Sequence, residues 1–288
     1  MKIGFAGLGV MGGPMARHLV HAGHEVMGFN RSNQKALDWA ALTGGRSAET
    51  VQAAAEGVEV FILCVGNDDD VREVVSQALP HVTQGAAIVD HTTTSATVAR
   101  EMAEMALASG RFFIDAPVSG GQAGAENGQL SVMAGGDGDA LARAEPALKS
   151  YAKAIKYMGP SGSGQLAKMV NQIAIAGVVQ GLAEAVHFAQ LAGLDTDAVY
   201  EAISKGAAQS WQMDNRWKTM ARGEFDFGFA VDWMRKDLGL VLDEARANGA
   251  RLEMTALVDR YYAEVQAMGG ERWDTSSLAA RLQKHRHD

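Results

Sequence analysis

The chain has 288 residues, 47% of them hydrophobic and 21% charged, with a formal net charge of −8. That length suits two domains of ordinary globular composition, and an acidic balance without a long Lys/Arg block argues against a nucleic-acid footprint. A single cysteine, Cys64, excludes an intrachain disulfide framework and fits a reducing cytoplasm, and nothing at the start reads as a signal peptide or a membrane span.

Lys2–Ala6 is a short apolar run that predicts a strand, and Gly7-Leu8-Gly9-Val10-Met11-Gly12 follows at once. Met15, Ala16, Leu19, Val20 and Ala22 then recur at helical spacing until Gly23 ends the pattern. Strand, glycine turn and helix in this order suit a dinucleotide. Gly7 allows the tight turn, Gly9 lets a pyrophosphate approach the backbone, and Gly12 lets helix pack on strand. The N–H groups at the helix start then face the phosphates.

Glu25–Phe29 predicts the second strand, which ends in Asn30-Arg31-Ser32. An NAD enzyme usually offers Asp or Glu there to the ribose 2′-hydroxyl. Arginine instead pairs with a 2′-phosphate, so NADP(H) is favoured over NAD(H), with Asn30, Arg31 and Ser32 as contacts. Lys35 is a second candidate for the phosphate, and a solvated turn arginine is the plainer alternative.

Helices are expected over Ser32–Leu42 and Ala48–Glu56. The apolar run Val58–Val65 reads as a parallel strand covered on both faces, with Cys64 a buried, inert thiol and Val65 a cofactor contact at its carboxyl end. The aspartates of Gly66-Asn-Asp-Asp-Asp70 read as caps and first-turn charges for a helix over Val71–Ala78; no metal site is expected. Ala86–Asp90 predicts a strand and Ala96–Ser109 a helix. Between them the hydroxyls of Thr92, Thr93, Thr94 and Ser95 divide between capping and cofactor contact, and His91 reads as a hydrogen-bonded loop residue. Phe112–Asp115 is the next strand. The small residues of Ala116–Gly124 expose backbone N–H groups suited to a carboxylate, with Ser119 adding a hydroxyl. Leu130–Ala134, the helix Ala140–Leu148 and Ala154–Tyr157 complete the sheet.

From Gln165 to about Ala192 runs a helical pattern about 40 Å long, apolar on most faces, which predicts burial all round. Asn171, Gln172, Gln180 and Glu184 interrupt it and argue against a membrane span. Helices follow near Thr196–Lys205, Trp211–Arg222, Trp233–Asn248, Thr255–Met268 and Ser276–Lys284, with no strand pattern. The domain change therefore falls near residue 160: residues 1–160 form a dinucleotide-binding domain and 161–288 an all-helical domain for substrate and oligomerisation. Trp211, Met213, Phe229 and Trp233 are candidates for an apolar substrate wall, each more simply a core residue. His285 and His287 read as a disordered tail.

Four stretches, Gly7-Leu-Gly-Val-Met-Gly-Gly-Pro-Met-Ala16, Asp115-Ala-Pro-Val-Ser-Gly-Gly121, Gly162-Ser-Gly-Gln-Leu-Ala-Lys168-Met-Val-Asn171-Gln172 and Lys236-Asp237-Leu-Gly, come in that order. Together they resemble the β-hydroxyacid dehydrogenase family, which includes 3-hydroxyisobutyrate dehydrogenase and tartronate-semialdehyde reductase, over essentially the whole chain. The resemblance implies an α/β Rossmann-type N-terminal domain joined by a long helix to an all-α C-terminal domain, assembled as a homodimer or homotetramer. It implies Lys168 as general acid/base, Asn171 as the residue orienting a small carboxylate-bearing substrate, and Ser119, Gly120 and Gly121 as the carboxylate grip. It further implies that Lys236 lines both cofactor and substrate and that Thr93 meets the nicotinamide side.

The chemistry agrees: hydride loss from an alcohol carbon acidifies its hydroxyl, and a lysine with a pKa lowered by burial takes that proton near neutral pH. There are departures from the family pattern. Gln172 stands where a second asparagine is frequent, and Gln122 stands where sulfonate-acting relatives carry arginine, which favours a carboxylate. Arg31 resembles glyoxylate and succinic-semialdehyde reductases more than NAD-using hydroxyisobutyrate enzymes. Two other readings compete: an imine reductase, a group that generally lacks this lysine, and a cofactor-binding module without turnover.

Overall fold

The computed structural model describes residues Met1–Lys284, so His285 and His287 lie outside the described residues. The chain forms two compact units that divide between Lys168 and Met169, inside a continuous helix.

The first unit carries strands β1 (Lys2–Ala6), β2 (Glu25–Phe29), β3 (Arg46–Ala48), β4 (Val60–Leu63), β5 (Ala87–Asp90), β6 (Phe112–Asp115), β7 (Val118–Ser119), β8 (Leu130–Gly136) and β9 (Ala152–Gly159). Helices α1 (Gly12–His21), α2 (Asn33–Thr43), α3 (Val51–Ala55), α4 (Asp68–Ala78), α5 (Ala96–Ala108), α6 (Gly121–Glu126) and α7 (Gly138–Leu148) intervene. The strands form one sheet in the order β3-β2-β1-β4-β5-β6-β8-β7, with β9 paired to β8. From β3 to β6 all neighbours are parallel, whereas β8 runs antiparallel to β6 and β7.

Alternation along the strands builds a core on each face of this sheet. Ile3, Phe5, Ile62 and Val89 pack with Met15 and Leu19 on one side. Phe61, Leu63, Ile88 and Phe113 pack with Val74, Val98 and Met102 on the other. Each such side chain contributes roughly 1.5–3 kcal/mol on burial. The chain reverses its winding between β1 and β4, and in open parallel sheets ligands bind beyond the carboxyl ends of the strands at that point.

Several expectations need correction. The helix predicted over Ala48–Glu56 is the short strand β3 followed by α3, capped by Thr50, whose hydroxyl accepts the N–H of Ala53. An edge strand of three residues carries no apolar run to betray it. The stretch Ala116–Gly124 is not one loop, since it holds β7 and most of α6. The strand ending at Val65 stops at Leu63, which leaves Cys64 half-buried rather than buried.

The second unit continues α8 (Ser163–Leu191) and adds α9 (Thr196–Ile203), α10 (Trp211–Arg222), α11 (Val231–Asn248), α12 (Glu253–Ala267), a 3-10 turn (Thr275–Ser277) and α13 (Leu278–Lys284). Its core gathers Ala176, Val179, Ala183 and Val186 of α8 around Trp217, Met234, Leu238 and Tyr262. Burial all round α8 is not what the chain shows, because Val170, Val178, Phe188 and Leu191 are exposed. Hydrophobic content alone does not say which apolar face is covered. By length and composition α8 passes for a membrane span, yet 44% of its most apolar window is buried within the protein.

Of the proposed wall residues only Met213 enters the core; Trp211, Phe229 and Trp233 remain exposed. The Arg216 guanidinium lies over the rings of Trp211 and Phe227, at 5.1 and 4.9 Å, and donates to the buried Asp274 at 2.9 Å. Asp274 also accepts the N–H of Phe229 at 3.0 Å, which holds the segment leading into α11.

Candidate active site

The turn after β1 is built by sterics. Gly7 has φ +96°, a conformation that favours glycine, and a β-carbon there would strike the carbonyl of Cys64 at the end of β4. One on Gly12 would strike the carbonyl of Gly7, so helix and strand close only around glycine. Gly9 differs: nothing lies near its missing β-carbon, and it is exposed beside Val10. The cradle therefore has a rigid floor and an open mouth at the start of α1, where N–H groups meet a phosphate. That arrangement fits a dinucleotide.

Asn30, at the end of β2, turns toward this cradle. Its Oδ1 accepts the N–H of Leu8 at 3.1 Å, and its Nδ2 donates to the Ser32 carbonyl at 3.2 Å. Arg31 points outward with its side chain 80% exposed and pairs with Asp70 at 3.1 Å. Asp70 is held in turn by the N–H of Gly66 at 3.1 Å. The aspartates in the first turn of α4 act as expected of a helix start: Asn67 caps it, and Asp68 accepts from both the N–H and the hydroxyl of Ser95. In the hydroxyl cluster Ser95 caps α5, and Thr92 Oγ1 accepts the N–H of Val65 at 3.0 Å. Thr93 between them is half-buried.

Lys168 is 9% exposed, and its Nζ donates to the carbonyl of Val118 at 3.0 Å. Val118 leads directly into Ser119, Gly120 and Gly121, and both glycines have positive φ, 131° and 61°. The first unit thus brings the lysine beside the segment expected to grip a carboxylate.

Two further polar groups, Asp115 and His91, are buried in the same unit, and of these only the hydrogen bonding of His91 was expected. The buried Asp115 carboxylate accepts the N–H groups of Gly162 and Gln165 at 2.8 and 3.0 Å, so a strand end caps α8 from a distance. Burial pushes this carboxyl above its ordinary range, and the backbone N–H bonds oppose the shift. His91 bridges Ala116 and Tyr151. The carbonyl of Ala116 can only accept, so Nδ1 donates to it at 2.6 Å, and Nε2 takes the Tyr151 hydroxyl at 2.8 Å. Burial lowers the imidazole to about 4 despite the favourable carbonyl bond, which keeps it neutral.

In the second unit Asn171 donates to Gln172 Oε1 at 2.8 Å, and Gln172 Nε2 donates to Asp237 at 2.7 Å. Asp237 is buried and pairs with Lys236 at 3.2 Å, whose ammonium lies 5.9 Å from the Trp233 ring centroid. Gln172, the departure from the family pattern, is long enough to reach this carboxylate. Asp115, set between Ile114 and Ala116, carried the signal of an acid bounded by apolar residues; Asp237, next to Lys236, carried none.

Comparison with known proteins agrees with this cradle. Residues 2–159 match the family model for the NAD binding domain of 6-phosphogluconate dehydrogenase, and residues 162–282 match that described as NAD-binding of NADP-dependent 3-hydroxyisobutyrate dehydrogenase. The chain is 33% identical to 2-hydroxy-3-oxopropionate reductase of Escherichia coli (strain K12) over 98% of its own length and 97% of the relative's. It belongs to the β-hydroxyacid dehydrogenase family. An uncharacterized oxidoreductase of Shewanella frigidimarina (strain NCIMB 400) is 59% identical over 99% of both chains. The solved structure of Mycobacterium tuberculosis 3-hydroxyisobutyrate dehydrogenase with L-serine superposes with a TM-score of 0.88 at 32% identity, covering 99% of this chain and 98% of that one. Membership makes the protein an NAD(P)-dependent oxidoreductase acting on CH–OH groups.

Proposed function

We propose that the protein is an NADP(H)-preferring dehydrogenase that interconverts a short β-hydroxyacid, of the 3-hydroxyisobutyrate kind, and its semialdehyde. The observation that carries this reading is the buried Lys168 ammonium held 3.0 Å from the Val118 carbonyl, beside Ser119-Gly120-Gly121. The bound nicotinamide supplies the hydride acceptor or donor. Lys168 takes the hydroxyl proton during oxidation and returns it to the nascent alkoxide during reduction. Ser119 and the N–H groups of Gly120 and Gly121 hold the carboxylate, Asn171 orients the substrate, and Lys236 adds positive charge to the site. Gly7 to Gly12 hold the pyrophosphate, with Asn30, Arg31, Ser32, Val65 and Thr93 completing the cofactor contacts.

On this reading residues 1–160 bind the dinucleotide, and residues 161–288 serve substrate binding and self-association in a cytoplasmic homodimer or homotetramer. The exposed apolar residues Val178, Phe188 and Leu191 of α8 support self-association with a second copy. Sedimentation equilibrium tests it: a monomer at micromolar concentration refutes the assembly.

Arg31 favours a second substrate reading, reduction of tartronate semialdehyde, glyoxylate or succinic semialdehyde. The presence of Lys168 counts against an imine reductase or a module without turnover. Steady-state kinetics on a panel of short hydroxyacids and semialdehydes, with both nicotinamide cofactors, separates these readings. Reduction of a cyclic imine without turnover of any aldehyde would overturn the hydroxyacid assignment, and tight NADPH binding without any oxidation would point to the silent module.

A further inference from the structure

Gln165 lies in the first turn of α8 and is fully buried. Its side-chain amide is engaged at both ends: Nε2 donates to the Thr92 carbonyl at 2.7 Å, and Oε1 accepts the N–H of Thr94 at 3.1 Å. Its backbone N–H is held by Asp115 at 3.0 Å. The first turn of α8 is therefore tied to the end of β6 and to the segment that follows β5. That segment contains Thr93 and reaches Val65 through the Thr92 hydroxyl. Lys168 stands one turn further along the same helix, on the Val118 carbonyl.

Burying a glutamine desolvates its amide, and a methionine would fill similar volume with no polar group to desolvate. What methionine lacks is a pair of directional bonds. Two such bonds to residues on either side of Thr93 set a distance and an orientation, which packing alone leaves loose.

We infer that Gln165 is a positioning residue that fixes the separation between Lys168, which moves the proton, and the Thr92–Thr94 segment, which faces the nicotinamide. The inference rests on the roles given to Lys168 and Thr93 above. Gln165 touches neither substrate nor cofactor in this scheme; it acts through the helix and the segment.

Gln165→Met tests it with three readouts. Displacements on the order of 1 Å cost roughly 100-fold in rate, so kcat falls by about 10- to 100-fold while KM changes little. The primary deuterium isotope effect measured with labelled cofactor rises, because hydride transfer becomes the slow step. In the apoprotein the amide hydrogen of Thr94 exchanges at least about tenfold faster, since its acceptor is gone. An unchanged kcat overturns the inference, and so does a kcat loss that tracks loss of folded protein with no change in isotope effect.

Gln165→Glu keeps the proposal testable if the methionine variant folds poorly. A protonated glutamic acid both donates to the Thr92 carbonyl and accepts from Thr94, whereas the carboxylate cannot donate. The kcat of this variant relative to wild type therefore rises as pH falls; a flat ratio overturns the inference. Thr94 exchange is read without cofactor or substrate, so it judges the Gln165 tether independently of the reaction. Normal turnover by Lys168→Ala, measured alongside, would instead overturn the acid/base reading.

Discussion

Asn30 Oδ1 accepts the N–H of Leu8 at 3.1 Å, so the side chain at the end of β2 is spent on the glycine turn. The neighbouring Arg31 faces outward, which on the proposed reading makes it the contact for the ribose substituent. Its exposed pair with Asp70 is worth little in water, on the order of 0–1 kcal/mol, and does not compete strongly with a phosphate. Replacing Asn30-Arg31 by Asp-Ile keeps an acceptor for Leu8 and removes the cation. The ratio of kcat/KM for NADPH over NADH is expected to fall by roughly 10- to 100-fold, from the loss of charged hydrogen bonds worth about 1.5–3 kcal/mol. An unmoved ratio places phosphate recognition elsewhere, with Lys35 the next candidate.

The two ends of the glycine turn should fail differently. Gly9→Ala adds a methyl group where the folded chain leaves open space, so apoprotein stability stays within about 0.5 kcal/mol while cofactor affinity drops tenfold or more. Gly12→Ala drives a methyl group into the Gly7 carbonyl and costs about 1–3 kcal/mol of stability before any cofactor binds. Thermal unfolding and NADPH fluorescence titration of the two variants check this contrast. Equal losses in both assays for both variants would refute it.

Lys168→Ala is expected to lower kcat by about 10²–10⁴-fold on whichever hydroxyacid the panel identifies, the range typical of general acid–base catalysis. The fold should survive, because the side chain still reaches solvent and its bond to the Val118 carbonyl can pass to water. Single-turnover hydride transfer, followed at the nicotinamide absorbance, measures the step itself.

His91 makes stability depend on pH in a defined window. Its folded value of about 4 lies below the ordinary 6.5, so the unfolded chain binds the proton first. The contribution is complete above pH 6.5 and is lost as pH falls from 6.5 toward 4. The difference corresponds to roughly 3 kcal/mol. Asp115 acts with the opposite sign, because its raised value makes the folded state bind the proton first as pH falls. In His91→Asn, denaturant unfolding between pH 7 and 4 should lose much of the downward slope seen in the parent; equal slopes would show that His91 titrates as an ordinary surface histidine.

How far these features were legible before folding differs residue by residue. The glycine turn could be read because its purpose is local: strand, turn and helix follow one another, and the steric demand on Gly7 and Gly12 arises within a few residues and one neighbouring strand. The parallel strands could be read because burial on both faces leaves a continuous apolar run, as in Val60–Leu63. Strand β3 could not, since three residues at a sheet edge are held by pairing with β2 rather than by their own pattern.

The sequence by itself therefore determined the class of fold, the cofactor cradle and the family, because those rest on short-range spacing and on motifs that survive as strings of residues. Only the tertiary structure decided what each polar group does. Nothing near Gln165 in the chain predicts that it would meet Thr92 and Thr94, or that Asp115 would cap a helix beginning nearly fifty residues later. It also decided that α8 leaves Phe188 exposed and that Asn30 serves the turn while Arg31 faces outward. Hydrogen bonds between residues far apart in sequence have no periodicity to announce them; their partners exist only once the strands have been brought side by side.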